Sequence, residues 1–257
     1  MGVRYGAKDL AQLRNRELEA TSIETWAMTL TAVYETDPEA VAAVLPPPLV
    51  PGGPLVRVTF ASVEIGHGRP PFGAGTFSVE AHHDGVAGAY PLVMPMSTEQ
   101  AVVGGRETFG EPKKLAAVVL EREGDRVHGY FERMGVRFVE IEGTVGAAVE
   151  VEPRRRTDFY LKFLLDPAGK GFDNDPSLVY CHRDEKTRAA WEIAGSVTLR
   201  ESRFDPVVDL PVRELRFIEY AERSSSQRGE IVGTVPGDWV LPYVHQRYDD
   251  LSPVGTD

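Results

Sequence analysis

Residues 105–115 have the sequence GRETFGEPKKL, and this segment is the most informative starting point for interpreting the chain. Two adjacent lysines, Lys113 and Lys114, follow Pro112 and open directly into an apolar run at residues 115–120. A lysine is a poor nucleophile in water because the amine is protonated. Burial or a second cation alongside favours the neutral amine. The pair therefore allows two interpretations, an activated nucleophile or a pair of solvated lysines on a loop or strand edge.

The same segment resembles the active-site segment of the acetoacetate decarboxylase family, in Gly105-Arg106-Glu107 followed by Pro112-Lys113-Lys114-Leu115. Weaker matches occur in the family's order over roughly residues 33–215. They lie at residues 34–37 (YETD), 47–49 (PPL), 54–57 (PLVR), 85–90 (GVAGAY), 160–162 (YLK) and 209–212 (DLPV). Matches in order over most of the chain favour the nucleophile.

The resemblance implies a Schiff base between the first lysine of the pair and a substrate carbonyl, with the second lysine keeping the first one neutral. By position these lysines are Lys113 and Lys114. We add Tyr243, in an apolar tail that could close a pocket, as a candidate proton donor. The predicted substrate-binding residues are Arg106, Glu107 and Thr59.

Three positions depart from the family pattern. Thr59 and Ala74 stand where active decarboxylases of the family have glutamates, and Ala27 stands near the place of an arginine. Those groups are expected to handle the substrate carboxylate, so the departures leave imine formation intact and predict slow acetoacetate decarboxylation. Aldol or dehydratase chemistry on an α-oxo acid is the other fate of the imine. Three nearby carboxylates could substitute, and each is predicted to lie at the surface: Glu64, Glu80 and Glu111.

Composition excludes several classes of protein. The net charge of −11 argues against nucleic acid and against an anionic membrane surface. No apolar run is long enough to span a membrane, and the N-terminus lacks the apolar core of a signal peptide. Cys181 is the only cysteine, so no internal disulfide can form. We predict a cytoplasmic protein in which Cys181 is a buried, inert thiol.

Metal and nucleotide chemistry have little support in the sequence. His82, His83 and Asp84 lie on a predicted hairpin, where adjacent residues face opposite ways, and His67 is the nearest further candidate ligand. The glycines match neither a Walker loop nor a dinucleotide fingerprint, and no nucleophile elbow is present. We therefore predict no metal and no cofactor.

The hydrophobic pattern predicts about ten strands with few, short helices. Asp84-Gly85 predicts a hairpin turn, Asp37 caps a helix that starts at Pro38, and residues 97–100 (STEQ) form a capping box for a helix ending at Gly104-Gly105. We predict a mainly β single domain over residues 1–257, with an N-terminal arm over about residues 1–22 that contains a helix at 7–18. Its fold is an antiparallel β-cone or barrel with short outer helices, which is also the fold that the resemblance implies.

Two segments are interpreted as connections. Residues 67–75 form a Gly/Pro-rich loop, and the basic cluster at residues 153–156 (PRRR) is a solvated connector or an intersubunit contact. An anchor for an anionic substrate is the alternative interpretation of that cluster.

The leading hypothesis is a lyase that forms a Schiff base between Lys113 and a small oxo acid. The alternative, from another class, is a non-catalytic β-barrel module that binds a small organic acid. An imine that borohydride can reduce belongs only to the enzyme. The resemblance also implies a homo-oligomer.

Overall fold

The computed structural model describes residues 3–9, 25–64 and 71–249. These residues form eleven strands, three α-helices and two short 3₁₀ helices. The strands are β1 (Trp26–Glu35), β2 (Val50–Glu64), β3 (Phe72–His83), β4 (Val86–Met96), β5 (Lys113–Leu115), β6 (Ala117–Glu123), β7 (Arg126–Arg133), β8 (Val136–Ala148), β9 (Arg154–Lys162), β10 (Ser177–Leu199) and β11 (Glu214–Thr234). The helices are α1 (Pro38–Val44), α2 (Glu99–Phe109) and α3 (Gly237–Val240), and the 3₁₀ helices are Val207–Asp209 and Leu241–Gln246.

Seven strands close into a barrel, in the order β11, β1, β2, β3, β4, β9, β10, with β10 pairing back onto β11. Neighbouring strands of the barrel are antiparallel except at the single parallel bridge between β4 and β9. Strands β8, β7 and β6 extend the sheet from the far half of β10. The prediction of a mainly β, largely antiparallel barrel with short helices is confirmed.

The apolar core lies on one face of the barrel strands, where β6, β7 and β8 pack across them. The ring of Phe60 on β2 lies 4.0 Å from that of Phe131 on β7. Along β2, Val58 and Phe60 are buried in this core, whereas Arg57 and Thr59 alternate onto the opposite face. That opposite face lines the inside of the barrel, which is therefore available for polar chemistry.

The two longest strands exceed what the hydrophobic pattern predicts, namely strands at residues 179–181 and 194–200 in place of β10 and at 214–221 in place of β11. β10 spans 23 residues and β11 spans 21. Their middle sections carry charged and polar residues that continue the backbone pairing, and because these sections have no apolar face the hydrophobic pattern does not reveal them. The interpretation of residues 153–156 as a connector is wrong, since Arg154 begins β9. The loop predicted at residues 67–75 is wrong from Phe72 onward, where β3 begins, and its earlier part reaches outside the described residues.

The helix ends also differ from the prediction. Asp37 precedes α1, but its carboxylate accepts hydrogen bonds from Arg213 at 2.9 and 2.8 Å instead of capping the helix. The capping box does not form, because Ser97 Oγ accepts a hydrogen bond from the Gly73 amide at 2.8 Å. α2 continues past Gly104-Gly105 to Phe109, and Gly110 ends it in the left-handed region at φ 80°.

The predicted N-terminal helix falls mostly outside the described residues, as does most of the predicted arm. Within the described part of the chain, no helix combines the length and the apolar character needed to cross a membrane.

Candidate active site

The lysine pair lies on β5, the three-residue strand that follows α2. β5 runs parallel to β4, with Lys113 opposite Met94 and Lys114 opposite Pro95. Backbone bonds on either side hold this register, from the Met94 amide to the Pro112 carbonyl and from the Ala116 amide to the Met96 carbonyl. Since successive side chains of a strand face opposite ways, the two lysines diverge.

Lys113 enters an enclosed polar pocket. Its Nζ lies 2.7 Å from Glu111 Oε2, with the side chains 13% and 1% exposed, respectively. Gly105 makes room for this pair, because a Cβ there would lie 2.0 Å from Glu111 Oε2 and 2.6 Å from Lys113 Nζ. Glu111 is therefore not the surface carboxylate that the sequence suggests. Its Oε2 is buried and accepts no hydrogen bond of good geometry, so it remains available to a proton on Lys113 or on a substrate.

Arg183 links Glu111 to a second carboxylate. Its guanidinium lies 3.3 Å from Glu111 Oε1 and 2.5 Å from Asp158 Oδ2, and it donates to the Tyr160 hydroxyl at 3.1 Å. Burial alone would lower the pKa of Arg183, but Tyr160 and the carboxylates outweigh it and hold the pKa well above its usual value. Burial, reinforced by Asp158, raises the pKa of Tyr160. Arg183 is thus a permanent cation and Tyr160 a protonated phenol.

An apolar wall surrounds these charges. It consists of buried residues from β4, β9 and β10 with α2 packed against them: Met94, Met96, Tyr160, Val179 and Cys181. Cys181 is fully buried, and burial raises the pKa of its thiol to about 11. The prediction of a buried, unreactive Cys181 agrees with this burial.

Lys114 belongs to a separate ionic network. Its Nζ lies 3.0 Å from Asp205 Oδ1 and 3.1 Å from Asp249 Oδ1, and it donates to the Phe204 carbonyl at 3.1 Å. Arg133 pairs with both of these carboxylates. A cleft of about 700 Å³ borders the network and includes both lysines in its lining. Lys114 therefore shares two carboxylates with Arg133, and its role as the neighbouring cation of Lys113 stays a prediction.

Arg106 and Glu107, predicted to bind substrate, lie on the last turn of α2. Arg106 donates to the carbonyls of Lys113 at 3.2 Å and Arg247 at 3.3 Å, and its guanidinium lies 4.9 Å from the centre of the Tyr248 ring. These contacts fasten β5 and the C-terminal segment to α2. Glu107 is exposed. Arg106 also lines the cleft that includes both lysines, so its substrate-binding role stays a prediction, whereas Glu107 is not part of that lining.

Tyr243 lies beside a different space. It lines a small cavity of about 20 Å³, room for roughly one water molecule, together with Tyr90 and Gln246. Burial and the nearby Tyr243 raise the pKa of Tyr90, which donates to Gln246 at 2.9 Å. None of the described contacts joins Tyr243 to Lys113, so Tyr160 is the better-placed phenol.

The three positions that depart from the family pattern all lie on the inward face of the barrel. Thr59 shares a hydrogen bond of 3.1 Å with Thr31, and its neighbour in the register of β3 is Thr76. Ala74 packs against the apolar wall beside Lys113, and Ala27 lies across from Arg223 on β11. All three side chains are small and retain partial exposure to solvent.

Comparison with known proteins identifies the family. The family model for acetoacetate decarboxylase (ADC) matches residues 13–232. The chain belongs to the acetoacetate decarboxylase family. An acetoacetate decarboxylase of Burkholderia vietnamiensis is 32% identical over 190 residues, which cover 71% of this chain and 76% of the relative.

Solved structures of the acetoacetate decarboxylase family share the fold. The acetoacetate decarboxylase of Legionella pneumophila superposes with a TM-score of 0.71 at 20% identity, over 82% of this chain and 88% of that one. The enduracididine biosynthesis enzyme MppR superposes with a TM-score of 0.71 at 18% identity, over the same shares of the two chains. At these identities the likeness shows the fold alone.

The histidines predicted not to bind metal lie at the β3–β4 hairpin. His83 Nδ1 lies 2.6 Å from the Tyr180 hydroxyl. Among the described residues, no group of three or more His, Cys, Asp or Glu side chains is arranged to hold a metal ion. His67, the nearest further candidate, is outside the described residues.

The sequence missed three members of the pocket, namely Asp158, Tyr160 and Arg183. Only Tyr160 gave a signal, because it begins the family-like segment at residues 160–162. Asp158 and Arg183 lie on strands that are longer than the hydrophobic pattern predicts. Alternation along β9 from the buried Tyr160, and along β10 from the buried Cys181, would have placed both residues on the inward face.

Proposed function

We propose that this protein is a lyase that forms a Schiff base between Lys113 and a small oxo acid. The observation that supports it most directly is the enclosed Lys113 Nζ lying 2.7 Å from the buried Glu111 Oε2. This distance lies within the hydrogen-bond reach that a catalytic proton transfer requires, about 2.6–3.2 Å. Membership of the acetoacetate decarboxylase family supports an enzyme rather than a binding module.

Glu111 serves as the general base and then the general acid of imine formation. The carboxylate accepts one proton from the Lys113 ammonium, and the neutral amine attacks the substrate carbonyl carbon. A second proton passes from the attacking nitrogen to the carbonyl oxygen, which forms the carbinolamine hydroxyl. Glu111 then returns its proton to that hydroxyl, which leaves as water and gives the iminium. Arg183, held 3.3 Å from the other oxygen of Glu111, orients the carboxylate for both steps.

The iminium then acts as an electron sink for the bond next to the former carbonyl. Condensation and dehydration need protons moved at that carbon, and Glu111 and Tyr160 are proton-transfer groups within the pocket. Decarboxylation needs a polar setting for the departing carboxylate, and Thr59, Ala74 and Ala27 supply none of the charges that the family pattern has there. We therefore propose aldol or dehydratase chemistry on an α-oxo acid in preference to decarboxylation. The structure of MppR, a protein of the same fold, holds the condensation product of pyruvate and imidazole 4-carboxaldehyde.

Borohydride trapping tests the Schiff base. Incubation with pyruvate and borohydride is expected to add the mass of one reduced pyruvate to the peptide that contains Lys113. The label is expected to vanish in Lys113→Ala and to remain in Lys114→Met, because the two side chains face opposite sides of β5. A label that persists in Lys113→Ala would overturn the assignment, and a wild-type protein that never acquires one would favour the binding module.

The fate of the imine is tested by two assays run side by side. Condensation of pyruvate with a small aldehyde is expected to be measurable, whereas carbon dioxide release from acetoacetate is expected to stay well below about 10 per second, the middle of the range for enzymes. The reason is the small, uncharged wall formed by Thr59 and Ala74. Rapid release of carbon dioxide with no condensation would show that decarboxylation is the reaction.

A further inference from the structure

Four arginines converge on the inside of the barrel, and the proposed mechanism uses none of them. Alternation and register place them on the inward faces of β2, β9 and β11, and we call them the interior arginine cluster: Arg57, Arg154, Arg156 and Arg223. Two of them belong to the basic cluster at residues 153–156 that was predicted to be a connector.

Among the residues that the structure describes, the carboxylates paired with the cluster are too few to balance it. Glu185 lies 3.2 Å from Arg156, and Glu219 lies 3.8 Å from Arg154 and also pairs with Arg223. Two carboxylates therefore compensate three of the four guanidinium groups. Buried charges in proteins are normally paired, so a surplus of positive charge inside a barrel indicates a place for an anion.

Arg57 is the member left over. Among the described residues, its guanidinium forms no hydrogen bond and no ion pair, although the residue is mostly enclosed. Burial and the neighbouring Arg156 outweigh the attraction of Glu185 and lower the pKa of Arg57 to about 10, well below the usual value for arginine. Arg156 Nε is also buried without a hydrogen-bond partner. Both residues thus offer unsatisfied donors in the fork geometry that matches carboxylates and phosphates.

The cluster adjoins the Lys113 pocket inside the barrel. Arg156 is the register partner of Arg183, which lies two residues along β10 from Cys181 in the pocket wall. At a rise of about 3.3 Å per residue this separation is about 7 Å along the strand. Along the inward faces of β2 and β3, Thr59, Ala61 and Thr76 are small and partly exposed side chains.

We propose that the interior arginine cluster binds a second anionic group of the substrate, so that the substrate is an oxo acid with a second carboxylate some bonds away from its carbonyl. This inference rests on the proposed function for the role of Lys113. The anion site itself stands on the arginines alone.

Pairs of oxo acids of equal chain length test the inference. 2-Oxoglutarate is expected to give half-maximal borohydride labelling at a concentration at least tenfold lower than 2-oxopentanoate, and 2-oxoadipate is compared with 2-oxohexanoate in the same way. Arg57→Met is expected to remove this advantage. Arg155→Met is the matched control, because Arg155 is on the same strand as Arg154 and Arg156 but its side chain is 90% exposed.

Calorimetric titration with glutarate, which has no carbonyl, separates this inference from the proposed function. Glutarate is expected to bind wild type and Lys113→Ala alike, and at least tenfold more weakly to Arg57→Met. Glutarate binding without any trapped oxo acid would support the anion site and overturn the Schiff base. If Arg57→Met changes neither glutarate affinity nor the preference between the five-carbon acids, the cluster is an internal ion-pair layer and the inference is wrong. Because the Arg57 guanidinium forms no hydrogen bond or ion pair among the described residues, the variant is expected to melt no lower than wild type.

Discussion

Replacing Glu111 by glutamine is expected to slow turnover of an oxo acid by about 10²–10⁴-fold, the usual contribution of a positioned acid–base group. Glutamine keeps the shape of the side chain in the space that Gly105 provides, but it cannot accept the proton from Lys113 or return it to the carbinolamine. The loss is expected in kcat, and the rate of borohydride labelling is expected to fall with it.

Glu99→Gln is the matched control for this variant, because Glu99 is exposed on the first turn of α2. It is expected to label and turn over like wild type. The pH profile gives a second test, since the limb that reports the acid–base group should disappear in Glu111→Gln and stay in Glu99→Gln. A decrease of less than about tenfold would assign proton transfer to another group, with Tyr160 the next candidate.

Replacing Lys114 by methionine is expected to lower the free energy of unfolding by about 3–5 kcal/mol, the usual cost of breaking a buried ion pair by removing one partner. Lys114 is 6% exposed, and its loss would leave Asp205 and Asp249 to share Arg133. Asp249 lies near the end of the described chain, so the C-terminal segment is expected to loosen first. Urea unfolding followed by tryptophan fluorescence measures the change.

Lys170→Met is the control, because Lys170 is exposed in a loop, and it is expected to change stability by less than about 0.5 kcal/mol.

Burial alone would raise the pKa of Asp249, but Arg133 and Lys114 outweigh it and lower the pKa. A lowered pKa contributes stability that is present above the unfolded value of about 3.9 and is lost as pH falls through the folded value. The difference between wild type and Lys114→Met is therefore expected to shrink in acid. If Lys114→Met is as stable as wild type at pH 7, but the acid limb of its pH–rate profile for imine formation is shifted, the result would instead support the role for Lys114 that the resemblance implies.

The fold was predictable where the local signals were strong. Alternation along residues 26–34 marked β1, and Asp84-Gly85 gave the hairpin between β3 and β4, with φ values of 49° and 77° at the two residues. The end of α2 was not predictable from the two glycines at 104 and 105. Gly105 serves packing against Glu111 and Lys113, and it is Gly110 that provides the left-handed residue ending the helix.

The candidate site was predictable only in part, because its partners are distant in sequence. Lys113 could be proposed from its segment, whereas the burial of Glu111 depends on the missing side chain of Gly105 and on Arg183, 72 residues away. The surroundings of Lys114 could not be predicted either. Its neighbour in sequence suggested a shared role, but the pleat of β5 directs it to Asp205, 91 residues away.

Because β5 is so short, the number of residues between α2 and the lysine pair decides which of the two lysines faces Glu111. The strand has three residues, and the pairing of Lys113 with Met94 is held by one backbone bond on each side. Deleting or inserting a single residue between Gly110 and Lys113 would turn the pleat over and exchange the destinations of the two amines. Any transplant of this segment into another scaffold must therefore preserve the spacing from the helix end.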